Sequence, residues 1–175
     1  KKVTLGQAKQ IVRFLLDGEL FNQYEEKLNS YFDLGQKRIA ATTDFILRKK
    51  SISCTEKTKV ILTEFDSDFY KLRSVEGGRW ERLSPTEIVL FAGSYTLCYC
   101  VYPATITAHT KDDVSFEISE AAQSALPYYV AAQVTIAEHD LRYHQVYSDE
   151  FADILEHVDE LNRLQNIHVT TLEGK

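Results

Sequence analysis

The chain has 175 residues, a hydrophobic share of 44%, a charged share of 26% and a formal net charge of −6. That length suits one domain, or one domain with a small insert, and the acidic balance argues against a nucleic-acid reader, which needs basic excess to neutralise phosphates. No apolar run approaches the ~20 residues of a membrane span, and no apolar stretch follows Lys1-Lys2-Val3-Thr4 as a secretion signal requires. Cys54, Cys98 and Cys100 include no C-x-x-C pair, so a disulfide framework is not expected and a reducing compartment is.

Thr4-Leu5-Gly6-Gln7 has the form of a capping box, and Leu5, Ala8, Ile11, Val12 and Leu15 follow at helical spacing. A first helix is therefore expected near residues 4–17, closed by Asp17-Gly18. From Glu19, the residues Phe21, Tyr24, Leu28, Tyr31, Gly35, Arg38, Thr42 and Phe45 recur in three- and four-residue steps. A continuous helix there would be about 43 Å long, although Asp33-Leu34-Gly35-Gln36 offers a second capping-type sequence at which it could break or kink. The stripe is one-sided and needs a partner to cover it.

At Lys49 the period changes. Ser51–Cys54 and Lys59–Leu62 are short and β-prone, and Asp66-Ser67-Asp68-Phe69-Tyr70-Lys71-Leu72 reads as a turn or a short helical turn. Strands are expected at Trp80–Leu83, Glu87–Phe91 and Ser94–Tyr102, with Gly77-Gly78, Ser84-Pro85 and Ala92-Gly93 as hairpin punctuation. Both faces of the last of these are apolar, as in a central strand. A further short strand is expected at Val114–Ile118.

Ser119 is a good N-cap for a short helix to about Ala125, after which Pro127 suits the first turn of a new one. That helix, Tyr128 to Glu138, is apolar almost all round and reads as buried and central. A last helix is expected over Asp140–Leu164, while Ile167-His168-Val169-Thr170-Thr171-Leu172 looks β-prone and exposed. The resulting expectation is a mainly α fold with inserted β structure. Residues 1–48 and 119–165 form a discontinuous helical bundle, 49–118 a small antiparallel β-rich insertion, and 166–175 a C-terminal tail.

Chemistry is sparse. His139 and His144 are five apart, off a common helix face, and no H-E-x-x-H occurs, so no metal ligands are assigned. Asp112-Asp113 lacks the rest of a calcium loop and reads as a solvated turn. Cys98 and Cys100 sit in a strand among bulky apolar neighbours, where a thiol behaves as a small hydrophobe. No G-x-S-x-G or glycine-rich phosphate motif is present, so neither catalytic residues nor cofactors are assigned and the chain is not expected to be an enzyme. Ten Tyr, nine Phe and one Trp mainly fill the core, but Tyr24, Tyr31, Tyr143 and Tyr147 lie near helix faces that a neighbour could share.

The block Ala104-Thr105-Ile106-Thr107, Phe116-Glu117-Ile118, Ala121-Ala122 and Ala125-Leu126-Pro127-Tyr128-Tyr129-Val130-Ala131-Ala132-Gln133 is similar to head-tail connector, or adaptor (neck), proteins of siphophages. Asp68-Phe69-Tyr70-Lys71-Leu72 and Gly93-Ser94-Tyr95-Thr96-Leu97 resemble the opening segment and last strand of that family's inserted β module. The resemblance spans roughly residues 5–164 and rests on structural signatures. It implies a virion protein that assembles in the host cytoplasm as a dodecameric ring below the portal protein. Such a ring extends the DNA channel, lets DNA pass without sequence-specific binding and docks stopper or tail-completion proteins. Family termini commonly dock on neighbours, which makes Ile167, His168, Val169, Thr170, Thr171 and Leu172 the expected partner-contact residues. The alternatives are a small-molecule or peptide-binding module using the β insert, and a tail-assembly factor that binds one partner transiently.

Overall fold

The structure, a computed structural model, describes residues 2–172, with helical side chains described as far as Arg163. Its contacts divide the chain into two compact units, one made of Lys1–Asp44 with Thr105–Lys175, the other of Phe45–Ala104. These divisions fall at 44/45 and 104/105, against 48/49 and 118/119 from sequence.

In the first unit, helix α1 (Leu5–Leu15) begins at a complete capping box. Thr4 Oγ1 accepts from the Gln7 amide at 3.3 Å, and Gln7 Oε1 accepts from the Thr4 amide at 3.1 Å. Asp17 is the N-cap of α2 (Gly18–Thr42), accepting from the Leu20 amide at 2.8 Å. Gly18, expected to help end the first helix, therefore opens the second. Helix α2 runs its 25 residues without the break left open at Asp33. The reason lies in where the Asp33 carboxylate goes: it accepts from Lys37 Nζ at 2.6 Å, Gln36 Nε2 at 3.3 Å and the Ile106 amide at 2.8 Å. It fastens a loop to the helix and caps nothing.

Residues Val114–Ile118 form no strand, only an isolated bridge between Thr4 and Ser115. Their polar backbone groups are used otherwise. The Val114 carbonyl accepts from the Leu5 amide at 2.8 Å, and the buried Gln123 amide donates to the carbonyls of Ile118 at 2.7 Å and Phe116 at 3.3 Å. Gln123 also accepts from the Val3 amide at 2.7 Å, so one side chain ties the start of the chain to this segment. Gln123 closes α4 (Glu120–Gln123), which Ser119 caps. Helix α5 (Leu126–Ala137) has Pro127 in its first turn and contacts α1, α2 and α6 (Leu141–Leu172). Eight of its twelve residues are buried, as an axis surrounded by other helices requires. Among the described residues, no helix is long and apolar enough to cross a membrane.

The second unit contains β1 (Ile46–Cys54), β2 (Thr58–Ile61), α3 (Leu62–Phe65), β3 (Phe69–Gly77), β4 (Trp80–Ser84), β5 (Glu87–Leu90) and β6 (Gly93–Val101). Two three-stranded antiparallel sheets result, ordered β1-β6-β3 and β2-β5-β4. Phe69 to Leu72, read from sequence as part of a turn, lie in β3. Bulges between Phe69 and Lys71 and between Leu72 and Ser74 break its alternation and hid it. Strands β3 and β4, and likewise β5 and β6, lie in different sheets, so Gly77-Gly78 and Ala92-Gly93 are passages between sheets and not hairpin turns. At Gly77, φ is +124° and a Cβ would lie 2.3 Å from the Ser94 carbonyl oxygen, so only glycine fits. The Tyr95 hydroxyl joins the sheets: it accepts from the Phe91 amide at 3.2 Å and lies 2.6 Å from the Arg79 carbonyl.

The expected mainly α bundle with a small β insertion is overturned. The fold is mixed, 49% helical and 26% strand, and four of its six helices have twelve residues or fewer. The physical reason is that residues 45–104 build a hydrophobic core of their own. Leu62, Phe69, Leu72, Ile88, Leu90, Tyr95, Leu97, Tyr99 and Val101 form one buried cluster drawn from both sheets.

Candidate functional site

Three places in the molecule concentrate chemistry or exposed apolar surface. The first lies where α1 ends and α6 begins. Leu5, Ala8 and Val12 turn the buried face of α1 inward, which leaves Ile11 and Phe14, three apart, on another face. Phe14 is 90% exposed. The Tyr147 hydroxyl donates to the Leu15 carbonyl and ties α6 to this end of α1; burial pushes that hydroxyl's pKa up. Leu15, Leu16, Leu20, Tyr143 and Tyr147 help line a shallow cavity of about 240 Å³ there. Tyr143 stacks on Tyr147 with ring centroids 6.2 Å apart, yet Tyr143 and Val146 are each 51% exposed and Leu141 67%.

The second place is a groove bounded by α2, α5 and α6, with a volume of about 580 Å³. Tyr129, Phe151 and Leu155 supply apolar wall, and Arg38, Gln133, His144 and Ser148 supply polar groups. The Arg38 guanidinium lies over the Phe151 ring, 6.0 Å from its centroid. His144 Nδ1 is 2.9 Å from the Ala132 carbonyl, so the tautomer protonated at Nδ1 donates there and leaves Nε2 near Ser148 Oγ, at 3.5 Å.

The third is a charged network in the β unit. Asp66 accepts from Arg48 Nη1 at 3.0 Å, the Tyr99 hydroxyl at 2.9 Å and the Asp68 amide at 3.1 Å. Burial works to raise the Asp66 pKa, but those donors outweigh it and hold the carboxyl below its usual range. Burial, with help from Asp66, pushes Tyr99 up to about 12. Asp66 and its three partners are held by one another, which is the mark of a structural network.

The backbone of Ile167, His168, Val169, Thr170, Thr171 and Leu172, the contact segment expected from sequence, is the end of α6 and not a strand. Their side chains lie outside the described residues. His144 comes into the groove, whereas His139 stays exposed in the α5–α6 turn at φ 59°. Cys98 and Cys100 are buried, free thiols, and Asp112 pairs with Lys9 at 2.7 Å. Tyr24 donates to Glu138 at 2.6 Å, a bond that raises its pKa to about 12. Among the described residues, no three His, Cys, Asp or Glu side chains gather as a metal site. Phe14 was missed in the sequence, although its place off the Leu5–Ala8–Val12 face could have flagged it. No family model matches the sequence, and no curated protein matches it.

Proposed function

We propose that the chain is a structural subunit of a ring-shaped connector, the head-to-tail adaptor of a tailed bacteriophage. It sits below the portal, continues the DNA channel and carries stopper or tail-completion proteins. The observation that supports this reading best is the exposure of three large apolar side chains of the helical unit, Phe14, Tyr143 and Val146. Covering a side chain such as Phe14 is worth about 1.5–3 kcal/mol, and fixed aromatic side chains are the usual anchors of protein interfaces.

A ring requires two unlike patches on each subunit, because a head-to-tail contact joins one surface to a different one. The helical unit offers a second: Ala121 with Ile154, Val158 and Leu161 lines an open trough of about 400 Å³ between α4 and α6. Charge is also divided. The helical unit holds 19 acidic and 11 basic residues, the β unit seven acidic and nine basic. A phosphate-repelling lumen would therefore be lined by the helical unit.

Electron microscopy and native mass measurement of the chain mixed with portal protein test the proposal. Rings seated on the portal are expected, and Phe14→Asp with Val146→Asp should abolish them while leaving the helical content unchanged. A chain that stays apart from portal assemblies, or a double variant that assembles normally, refutes it.

A further inference from the structure

We propose that the groove between α2, α5 and α6 binds a carboxylate carried on an aromatic or branched apolar body. The volume of about 580 Å³ falls within the ~300–1,000 Å³ typical of small-ligand pockets. Its walls divide the work as such pockets do: Tyr129, Phe151 and Leu155 offer apolar surface, with a small set of polar groups beside them. Two of those groups are uncommitted. Among the described residues, the Arg38 guanidinium makes no ion pair and the Gln133 amide no hydrogen bond, although Arg38 belongs to a unit with 19 acidic residues. Arg38 is exposed, so its guanidinium, held over the Phe151 ring, is accessible to an external carboxylate.

The charge count selects the anion. Arg38 supplies the one permanent positive charge of the wall, while Gln133 and Ser148 supply neutral dipoles. One charge matches a monoanion; a dianionic phosphate would bring a second negative charge into an acidic unit. The planar guanidinium also presents paired N–H donors spaced for the two oxygens of a carboxylate. The ring of Phe151, already under Arg38 at 6.0 Å, places apolar surface directly beside that anchor. A free aromatic acid and the last residue of a peptide share this chemistry. The site is in the helical unit and its existence is independent of ring assembly.

Titration of the full chain with N-acetyl-phenylalanine, followed by calorimetry and by NMR, tests the site. Saturable binding is expected, and the uncharged N-acetyl-phenylalaninamide should bind roughly 10–100-fold more weakly, as loss of a charged hydrogen bond dictates. Arg38→Gln should weaken the acid to a similar degree, whereas Arg163→Gln, which removes an exposed cation paired with Asp159, should not. Equal melting temperatures would show that both variants are folded. A peptide ending in phenylalanine that binds more tightly than the acid identifies a chain terminus as the ligand; equal or weaker binding identifies a free acid. The proposal falls if the acid does not bind at millimolar concentration, or if the amide binds equally well. It also falls if Arg38→Gln has no effect, or if phenyl phosphate outcompetes the acid.

Discussion

Gly35→Ala should destabilise the helical unit, although it replaces a glycine in the middle of a 25-residue helix. Helix propensity alone predicts the opposite, a gain of about 1 kcal/mol. The geometry opposes it. A Cβ on Gly35 would lie 2.7 Å from Tyr129 Cδ1, 3.3 Å from Tyr129 Cε1 and 3.1 Å from Leu126 Cδ2. Carbon atoms prefer about 3.5–4.0 Å, so the Tyr129 ring must retreat by close to 1 Å. It is backed by Phe151, 5.3 Å away between centroids, and Leu126 is fully buried, so both groups on α5 must move together. Overpacking of this kind costs about 1–3 kcal/mol. Set against the propensity gain of about 1 kcal/mol, this leaves a net loss of up to about 2 kcal/mol, which lowers the midpoint by up to roughly 8 °C at this chain length. Gly18→Ala is the internal control, because a Cβ there meets nothing within 4 Å. Far-ultraviolet circular dichroism during heating and in urea reads both variants. If Gly35→Ala melts at or above the wild type, the close approach of α2 to α5 is wrong.

Other expectations follow from single residues. Asp66, whose folded pKa is depressed, adds stability that is present above pH ~4 and lost as pH falls through its lower folded value. Asp66→Asn should cost about 1–3 kcal/mol at neutral pH and flatten the acid limb of the stability curve measured by urea titration. Tyr24 and Tyr99, held up to about 12, favour the folded state fully below pH ~10 and progressively less as pH rises towards their folded values. A Tyr24→Phe, Tyr99→Phe double variant should lose part of that alkaline slope, and absorbance titration should show two fewer late-ionising phenols. Thr4→Ala removes one half of the capping box and should cost about 1 kcal/mol, read as a lower urea midpoint with unchanged slope.

Helix positions were legible where a side-chain cap accompanied a periodic face. Thr4 and Gln7 announced α1, and Ser119 and Pro127 announced the starts of α4 and α5. Asp33-Leu34-Gly35-Gln36 misled because a carboxylate at capping spacing can be claimed by a distant amide, here that of Ile106. In the β unit every strand but β3 was readable at least in part, whereas the sheets were not. Alternation identifies an extended segment, whereas pairing is decided by which cores the segments share, and β3 with β6 is a choice made across the intervening hairpin. The same limit hid the groove: Arg38, Gln133, His144 and Ser148 lie on three helices, and nothing in their spacing announces convergence.

The chain order of the β unit has a consequence for biosynthesis. Its middle strand, β6, is made last, and the two strands it separates, β1 and β3, emerge earlier with no neighbour of their own. Until residues 93–101 leave the ribosome, both present unpaired backbone edges, the surface that invites association between nascent chains. The lysines and arginines at Arg48, Lys49, Lys50, Lys71 and Arg73 lie on just those two strands. Charged side chains on an open strand edge are a standard guard against pairing with another copy, and here they fall on the two strands that wait for β6 as their neighbour.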